Sequence, residues 1–294
     1  MTIYTEPGVC ALGGSAFFTI WTAGEDPITV DGNVAVPGKG LDENQRKRGA
    51  VEISVDYGGG IETLVGPGSV AVPGTLAAIE DAWRHYGQVP WRTIFEPTIR
   101  ACRNGFPLPA ACRYYLGYSG DIIFGRSADG HRALHRDDNT LIDTGDTVII
   151  PHLADTLSTI AVEGARVFYE GEIARAISDH CRDGDGMLTY EDLASYRAIE
   201  REPLVNRIGD WQLATNPPPA VGGSMLTAML LACADLDIGT WDSNALLQLI
   251  NAQRACLDFR QRRLDLADEV GPAVAQLVEA ARDGSLLARW TSAS

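Results

Sequence analysis

Two short stretches decide how this chain is read: Ala11-Leu12-Gly13-Gly14-Ser15-Ala16-Phe17-Phe18 and Asp31-Gly32-Asn33-Val34-Ala35-Val36-Pro37. Between them, Phe17-Phe18-Thr19-Ile20-Trp21-Thr22 is rich in aromatic and β-branched residues and bounded by glycines and a proline, which predicts a strand. That strand then hands over to Asp31-Gly32-Asn33. The short polar side chains, and a glycine that tolerates positive φ, predict a sharp turn presenting backbone and amide groups to a ligand. Taken alone, the segment reads more readily as a surface turn after an edge strand, because turns outnumber sites in any chain.

Working outward, the composition is that of an ordinary globular protein, 45% hydrophobic and 21% charged, so a sizeable core is available. At 294 residues the length admits one large domain or two ordinary ones. A formal net charge of −15 argues against a nucleic-acid partner or an anionic membrane surface. Cys10, Cys102, Cys112, Cys181, Cys233 and Cys256 lie far apart, without a zinc spacing or a disulfide framework, which favours a reducing, cytoplasmic setting. His131 and His135 are four apart but sit among Arg132, Arg136 and Asp137, which reads as a polar loop rather than a metal site. No apolar run reaches the length of a membrane span, and no signal-peptide pattern is present. Met1-Thr2-Ile3-Tyr4 already reads as part of an element, so the chain is expected to begin part-way through a larger unit.

Along the chain, Val51, Ile53, Val55 and Tyr57 alternate with polar residues and predict a half-buried strand, turned by Gly58-Gly59-Gly60 into a hairpin with Ile61–Val65. Leu76, Ile79, Ala82, Trp83 and Tyr86 trace a helical face, with Thr75 as N-cap and Gly87 at C′. Further helices are predicted over Trp91–Arg103, Leu153–Glu163, Gly171–His180 and Met225–Cys233, with a short turn at residues 192–196. Residues 117–146 read as irregular with short helical pieces. Strands are predicted at Leu204–Ile208 and Trp211–Ala214. The longest helix is placed at Asn244–Leu266, capped by Asp242 or Ser243, with Leu246, Leu249, Ile250, Gln253 and Leu257 inward; a last one covers Pro272–Arg282. No repeat or linker interrupts residues 1–294, so the reading is a single α+β domain.

Several signatures of chemistry fail. Gly13-Gly14-Ser15-Ala16-Phe17 lacks the closing glycine of a nucleophile elbow, and Gly58-Gly59-Gly60 is not a dinucleotide loop. Asp183-Gly184-Asp185-Gly186 suggests a calcium loop, but that register puts the soft thiol of Cys181 where a hard cation needs oxygen. No metal or cofactor is expected, and no nucleophile–base set can be named.

A set of pieces in order carries a resemblance: Glu6-Pro7 with Leu12-Gly13-Gly14; Val72-Pro73-Gly74-Thr75 with Tyr86-Gly87 and Pro90-Trp91; Glu96-Pro97 with Asn104-Gly105-Phe106. They continue with Ala154-Asp155-Thr156-Leu157, Phe168-Tyr169-Glu170-Gly171-Glu172-Ile173-Ala174, Leu188-Thr189-Tyr190-Glu191-Asp192-Leu193-Ala194-Ser195-Tyr196, and Pro218-Pro219 with Gly222-Gly223. Each is weak alone; their order and spacing resemble the large subunit of the γ-glutamyltranspeptidase family of N-terminal-nucleophile hydrolases. The resemblance implies a four-layer αββα sandwich completed by a second chain, and a proenzyme that cuts itself in two. The nucleophile is then a threonine at the start of the small subunit, with its own α-amino group as base. Ser294 would lie just before the scissile bond, and a family segment preceding Glu6 would be missing.

One departure bears on substrate. Where the family has Asp-Gly-Arg-Glu-x-x-Pro, this chain has Asp31-Gly32-Asn33-Val34-Ala35-Val36-Pro37. The family's arginine pairs with the α-carboxylate of the γ-glutamyl group, a bidentate charge-assisted fork that the neutral amide of Asn33 cannot reproduce. Its loss is worth about 1.5–3 kcal/mol of carboxylate binding. The resemblance therefore implies an acyl-enzyme hydrolase or acyltransferase acting on a small amino-acid-like substrate other than an ordinary γ-glutamyl peptide. Arg46 or Arg48 could hold a carboxylate in place of the missing arginine, although solvated loop arginines are the simpler reading. The alternatives are ordinary γ-glutamyl transfer, a C–C bond or acyl hydrolase in a biosynthetic pathway, and an inactive homologue that only binds a ligand.

Overall fold

The structure is a computed structural model that describes residues 11–45, 49–234, 236, 239 and 241–288. In chain order it begins with β1 (Ala16–Ile20), β2 (Ile28–Gly32), β3 (Val51–Val55) and β4 (Ile61–Val65). Helices α1 (Thr75–Tyr86) and α2 (Trp91–Asn104), strand β5 (Phe106–Pro107), helices α3 (Ala110–Ser119) and α4 (Ala128–Leu134), and strand β6 (Thr147–Val148) come next. Four helices follow, α5 (Leu153–Glu163), α6 (Arg166–Glu170), α7 (Glu172–Asp183) and α8 (Tyr190–Ser195), and then strands β7 (Ile199–Arg201), β8 (Leu204–Ile208) and β9 (Trp211–Thr215). The last three helices are α9 (Val221–Cys233), α10 (Ser243–Phe259) and α11 (Val270–Arg282). This is the α+β composition expected: helices with one three-stranded sheet, β1-β2-β7, and three two-stranded ladders. The chain divides into two compact units, residues 1–16 with 32–199 and residues 17–31 with 200–294.

In the first unit the predicted hairpin is present, Val51 opposite Val65 and Val55 opposite Ile61. Gly58, Gly59 and Gly60 all take positive φ, which is why that turn needs glycine. The alternation is only half used: Val55 is buried, while Val51 and Tyr57 are about half exposed. Helix α1 packs Leu76 into a core with Phe95, Leu157, Ile160, Phe168, Tyr169 and Leu193. Two details differ from expectation. Gly74, not Thr75, occupies the N-cap, and Thr75 is the first helical residue with no side-chain cap bond. Gly87 is extended (φ −70°) rather than left-handed; its glycine is required by space, since a Cβ would lie 2.5 Å from the Trp83 carbonyl.

Helix α2 begins and ends where the sequence places it, closed by Gly105 at φ 73°. The region read as irregular contains α4, so His131 lies on a helix and His135 caps it rather than forming a loop. Their rings stack at 3.9 Å, and His135 Nε2 contacts Asp121 Oδ1 at 2.6 Å. No grouping of three metal-ligating side chains occurs among the described residues.

In the second unit the segment read as a turn is strand β2. Thr29, Val30 and Asp31 are buried in the three-stranded sheet. The real turn lies earlier, where Glu25 N–H donates to Thr22 O at 3.1 Å and Gly24 has φ 84°. Strand β2 was missed because its apolar content is only Ile28 and Val30; Thr29 and Asp31 satisfy themselves by hydrogen bonds inside the protein instead.

Strands β8 and β9 lie where expected, and the structure pairs them antiparallel, with Ile208 opposite Trp211. Helix α10 is capped by Asp242, whose carboxylate accepts from Ala245 N–H at 2.9 Å, and it ends at Phe259 in a π turn over Arg260–Leu264. Its inward face differs from the prediction. Ala252, Ala255 and Cys256 are buried with Met225, Leu231, Val274 and Leu277, while Leu246, Ile250 and Leu257 stand 46, 43 and 46% exposed. Small side chains set the closest approach of packed helices, and that stripe wins the contact over the leucine face. Among the described residues, no helix is long and apolar enough to cross a membrane.

Candidate functional site

The site predicted at Asn33 is built within the first unit, on a loop leaving Gly32. Gly32 is pressed against the start of α1: a Cβ there would lie 2.7 Å from Gly74 O, 3.1 Å from Ala16 O, and collide with the Ala78 methyl. Only glycine fits both here and at Gly74, whose own missing side chain makes room for Gly32 O and the Tyr196 hydroxyl. Asn33 is solvent-exposed, its Oδ1 accepting from Val34 N–H at 3.0 Å, and its carbonyl accepts from the Tyr196 hydroxyl.

Beyond Asn33 the loop is pinned twice more. Ala35 exchanges both backbone bonds with Val72, at 3.0 and 2.9 Å. Gly38 and Lys39 N–H then donate to the two oxygens of Asp192 at 2.8 and 3.0 Å. Asp192 is 2% exposed and also takes Thr189 N–H and the Thr189 hydroxyl, both at 2.9 Å. With Thr189 accepting from Asp192 N–H, the pair forms a capping box at the start of α8. A buried carboxylate surrounded by donors is well compensated, and it ties α8 to the loop that carries Asn33. The Asp192 oxygens are thus taken up by donors of the chain itself.

Tyr196 is positioned in turn. Its ring stacks on Tyr169 with centroids 5.8 Å apart, and the Tyr169 hydroxyl donates to Pro73 O and accepts from Ala77 N–H, each at 3.1 Å. Burial drives the Tyr169 phenol far above the usual tyrosine range, so it works as a neutral hydrogen-bonding post. Arg166 lies 5.1 Å from the centre of the Tyr169 ring and donates to the carbonyls of Ala194 and Tyr196 at 3.1 and 3.3 Å. Its bond to Glu170 holds that carboxyl below its usual value. Next to Gly74, Thr75 Oγ1 is buried without a hydrogen-bond partner, while Gly74 and Thr75 N–H donate to Gly14 O at 3.0 and 3.1 Å. This places the glycine-rich stretch Gly13-Gly14 against the head of α1.

Asp31 belongs to the second unit's sheet, where Arg201 Nε donates to its Oδ2 at 2.6 Å. It is structural rather than ligand-facing, being 4% exposed. Burial pushes the thiols of Cys102, Cys181, Cys233 and Cys256 up, the last to about 11, so none of these four is an activated nucleophile. Arg46, Arg48 and Ser294 lie outside the described residues. Sequence reasoning missed the roles of Tyr196, Asp192 and Arg166. Only Asp192 carried a local signal, the Thr189-x-x-Asp192 spacing of a capping box; the other two act over 163 and 28–30 residues of chain.

Against solved structures, this architecture is that of an N-terminal-nucleophile hydrolase. It superposes on the crystal structure of Helicobacter pylori γ-glutamyltranspeptidase with a TM-score of 0.79 at 22% identity, covering 97% of this chain and 81% of that one. A family profile described as Gamma-glutamyltranspeptidase matches residues 1–292, and the chain belongs to that family. Among curated relatives, it is 33% identical over 185 residues to Schizosaccharomyces pombe glutathione hydrolase proenzyme 1, covering 63% of this chain and 29% of the relative. It is 31% identical over 226 residues to the rat glutathione hydrolase 5 proenzyme, covering 76% and 38%. The chain thus spans well under half the length of these relatives.

Proposed function

We propose that residues 1–294 are the large-subunit part of an autoprocessed threonine hydrolase whose substrate is not an ordinary γ-glutamyl peptide. The relatives' names, glutathione hydrolase proenzyme, support the processed two-chain reading. On this reading the companion chain begins with threonine. Its hydroxyl adds to the substrate carbonyl, passing its proton to the threonine's own α-amino group. The leaving group departs with that proton, and water then hydrolyses the ester. The four-layer sandwich is completed by that second chain, and the open leucine face of α10 supports such a partner: Leu246, Leu247, Ile250 and Leu257 stand 43–51% exposed. Among the described residues Cys102, Cys181, Cys233 and Cys256 form no disulfide, which supports a reducing, cytoplasmic setting.

The observation that carries the substrate claim is Asn33 itself. Its backbone is tied down by Tyr196, and the loop after it by Val72 and Asp192, so the side chain starts from a defined position. At that position an amide offers one neutral donor–acceptor pair in place of a cationic fork. Substrates presenting a neutral polar group there are favoured over those presenting a free α-carboxylate. The test is an assay of a chromogenic γ-glutamyl anilide with the processed wild type and Asn33→Arg. The wild type should turn it over poorly, and the arginine variant should gain about 10–100-fold in kcat/KM; strong wild-type turnover would refute the claim. Sequencing the start of the companion chain tests the nucleophile separately, since a residue other than threonine, serine or cysteine would leave none.

A further inference from the structure

Helix α2 carries Arg92, Glu96, Arg100 and Arg103 at positions i, i+4, i+8 and i+11. At 100° per residue they fall within about 80° of one another on one helix face. In the first unit they line, with Ile99 of α2 and Ser158 of α5, a half-open groove of about 300 Å³. Elsewhere the arginines of this acidic chain tend to have a carboxylate partner, as do Arg84, Arg166, Arg182, Arg201, Arg260 and Arg262. Arg92, Arg100 and Arg103 have none among the described residues. Their one described polar contact is a long bond of 3.5 Å from Arg103 Nη2 to Ser158 Oγ.

Three guanidiniums without counter-ions repel one another around a concavity, in a chain whose net charge of −15 would supply carboxylates readily if pairing were their role. Guanidinium forks match the oxygens of phosphate and carboxylate groups, and the groove's volume is at the small end of ligand sites. Glu96, in the same groove, offsets one of the three charges and leaves a net of two. We propose that this groove binds a small dianionic oxyanion ligand, of the phosphate-ester or polycarboxylate class. Arg92, Arg100 and Arg103 supply the charge, and Glu96 acts against monoanions.

The experiment is calorimetric titration of the full-length processed protein with glycerol 3-phosphate, inorganic phosphate and citrate, with chloride at matched ionic strength as control. Saturable binding of at least one of the three, weakened by added salt, is the expected result. Binding of the phosphates alone assigns the phosphate class, and binding of citrate alone the polycarboxylate class. Arg100→Gln with Arg103→Gln should weaken it at least about tenfold. Glu96→Gln should tighten it several-fold, which a general loss of structure would not do. Melting temperature and circular dichroism without ligand check that the variants fold; should the double variant not fold, Glu96→Gln decides by itself. No saturable binding of any of the three, unchanged affinity in a folded double variant, or no tightening in Glu96→Gln would each overturn the proposal. The outcome is read as binding alone, so it stands apart from the hydrolase reading.

Discussion

Helices α1 and α10 begin from the same kind of sequence signal and end in opposite situations. Both show apolar residues at helical spacing. In α1 that stripe is the buried one, with Leu76 fully enclosed by Phe95, Leu157, Ile160, Phe168 and Tyr169. In α10 the large apolar residues Leu246, Ile250 and Leu257 face outward, and the alanine and cysteine side holds the helix to its unit. Periodicity says which residues share a face; it does not say whether this chain or another covers that face. The leucine stripe of α10 is left open by its own unit, whereas α1 serves the chain's own core.

The largest expected effect breaks the comparison at its closed end. Leu76→Ala removes a fully buried side chain and should cost about 2–5 kcal/mol, read from urea denaturation of this chain. A loss below about 1 kcal/mol would mean that α1 is not core in the sense argued. Next, Asp192→Asn replaces one acceptor oxygen by a donor against Gly38, Lys39 and Thr189, and should cost about 1–3 kcal/mol. Hydrogen exchange at the Gly38 and Lys39 amides should speed up in this variant, and unchanged protection would remove Asp192 from the loop's support.

At the open end, Leu246→Ser with Ile250→Ser should change the stability of this chain by no more than about 0.5 kcal/mol per site. On the proposed two-chain reading, association with the companion chain should fall at least about tenfold, measured by co-purification. A large intrinsic loss with intact association would reverse the assignment of the two faces. The smallest effect concerns Glu170, whose pKa is lowered by Arg166. A depressed carboxylate contributes stability that is fully present above its unfolded value, near 4.5, and is lost as pH falls through the lower folded value. Glu170→Gln should therefore be less stable than wild type at pH 7 and indistinguishable from it near pH 3, by thermal unfolding at both.

Helix positions around Trp91, Leu153 and Val270 were legible because each has apolar spacing and a glycine, proline or capping signal at an end. The hairpin at Gly58–Gly60 was legible because only glycine populates three successive positive φ values without strain. Strand β2 was not legible, since its burial of Thr29 and Asp31 depends on Thr19 and Arg201, which its own sequence does not reveal. At the proposed site, the neighbours of Asn33 in the motif singled it out, but the sequence did not show the groups that hold its loop.

What the amino-acid sequence determined by itself is local and periodic: most helices, one hairpin, the strands β8 and β9, and the family. Each follows from short-range sterics, capping or ordered motifs. What only the tertiary structure decided is which stripe of α10 is buried, that Gly32 exists to meet Gly74, and that Tyr196 and Asp192 hold the Asn33 loop. The last two depend on groups brought within a few ångströms from more than 40 and up to 163 residues away. No window of sequence carries that information, because packing and hydrogen-bond satisfaction are settled only once the whole core has closed.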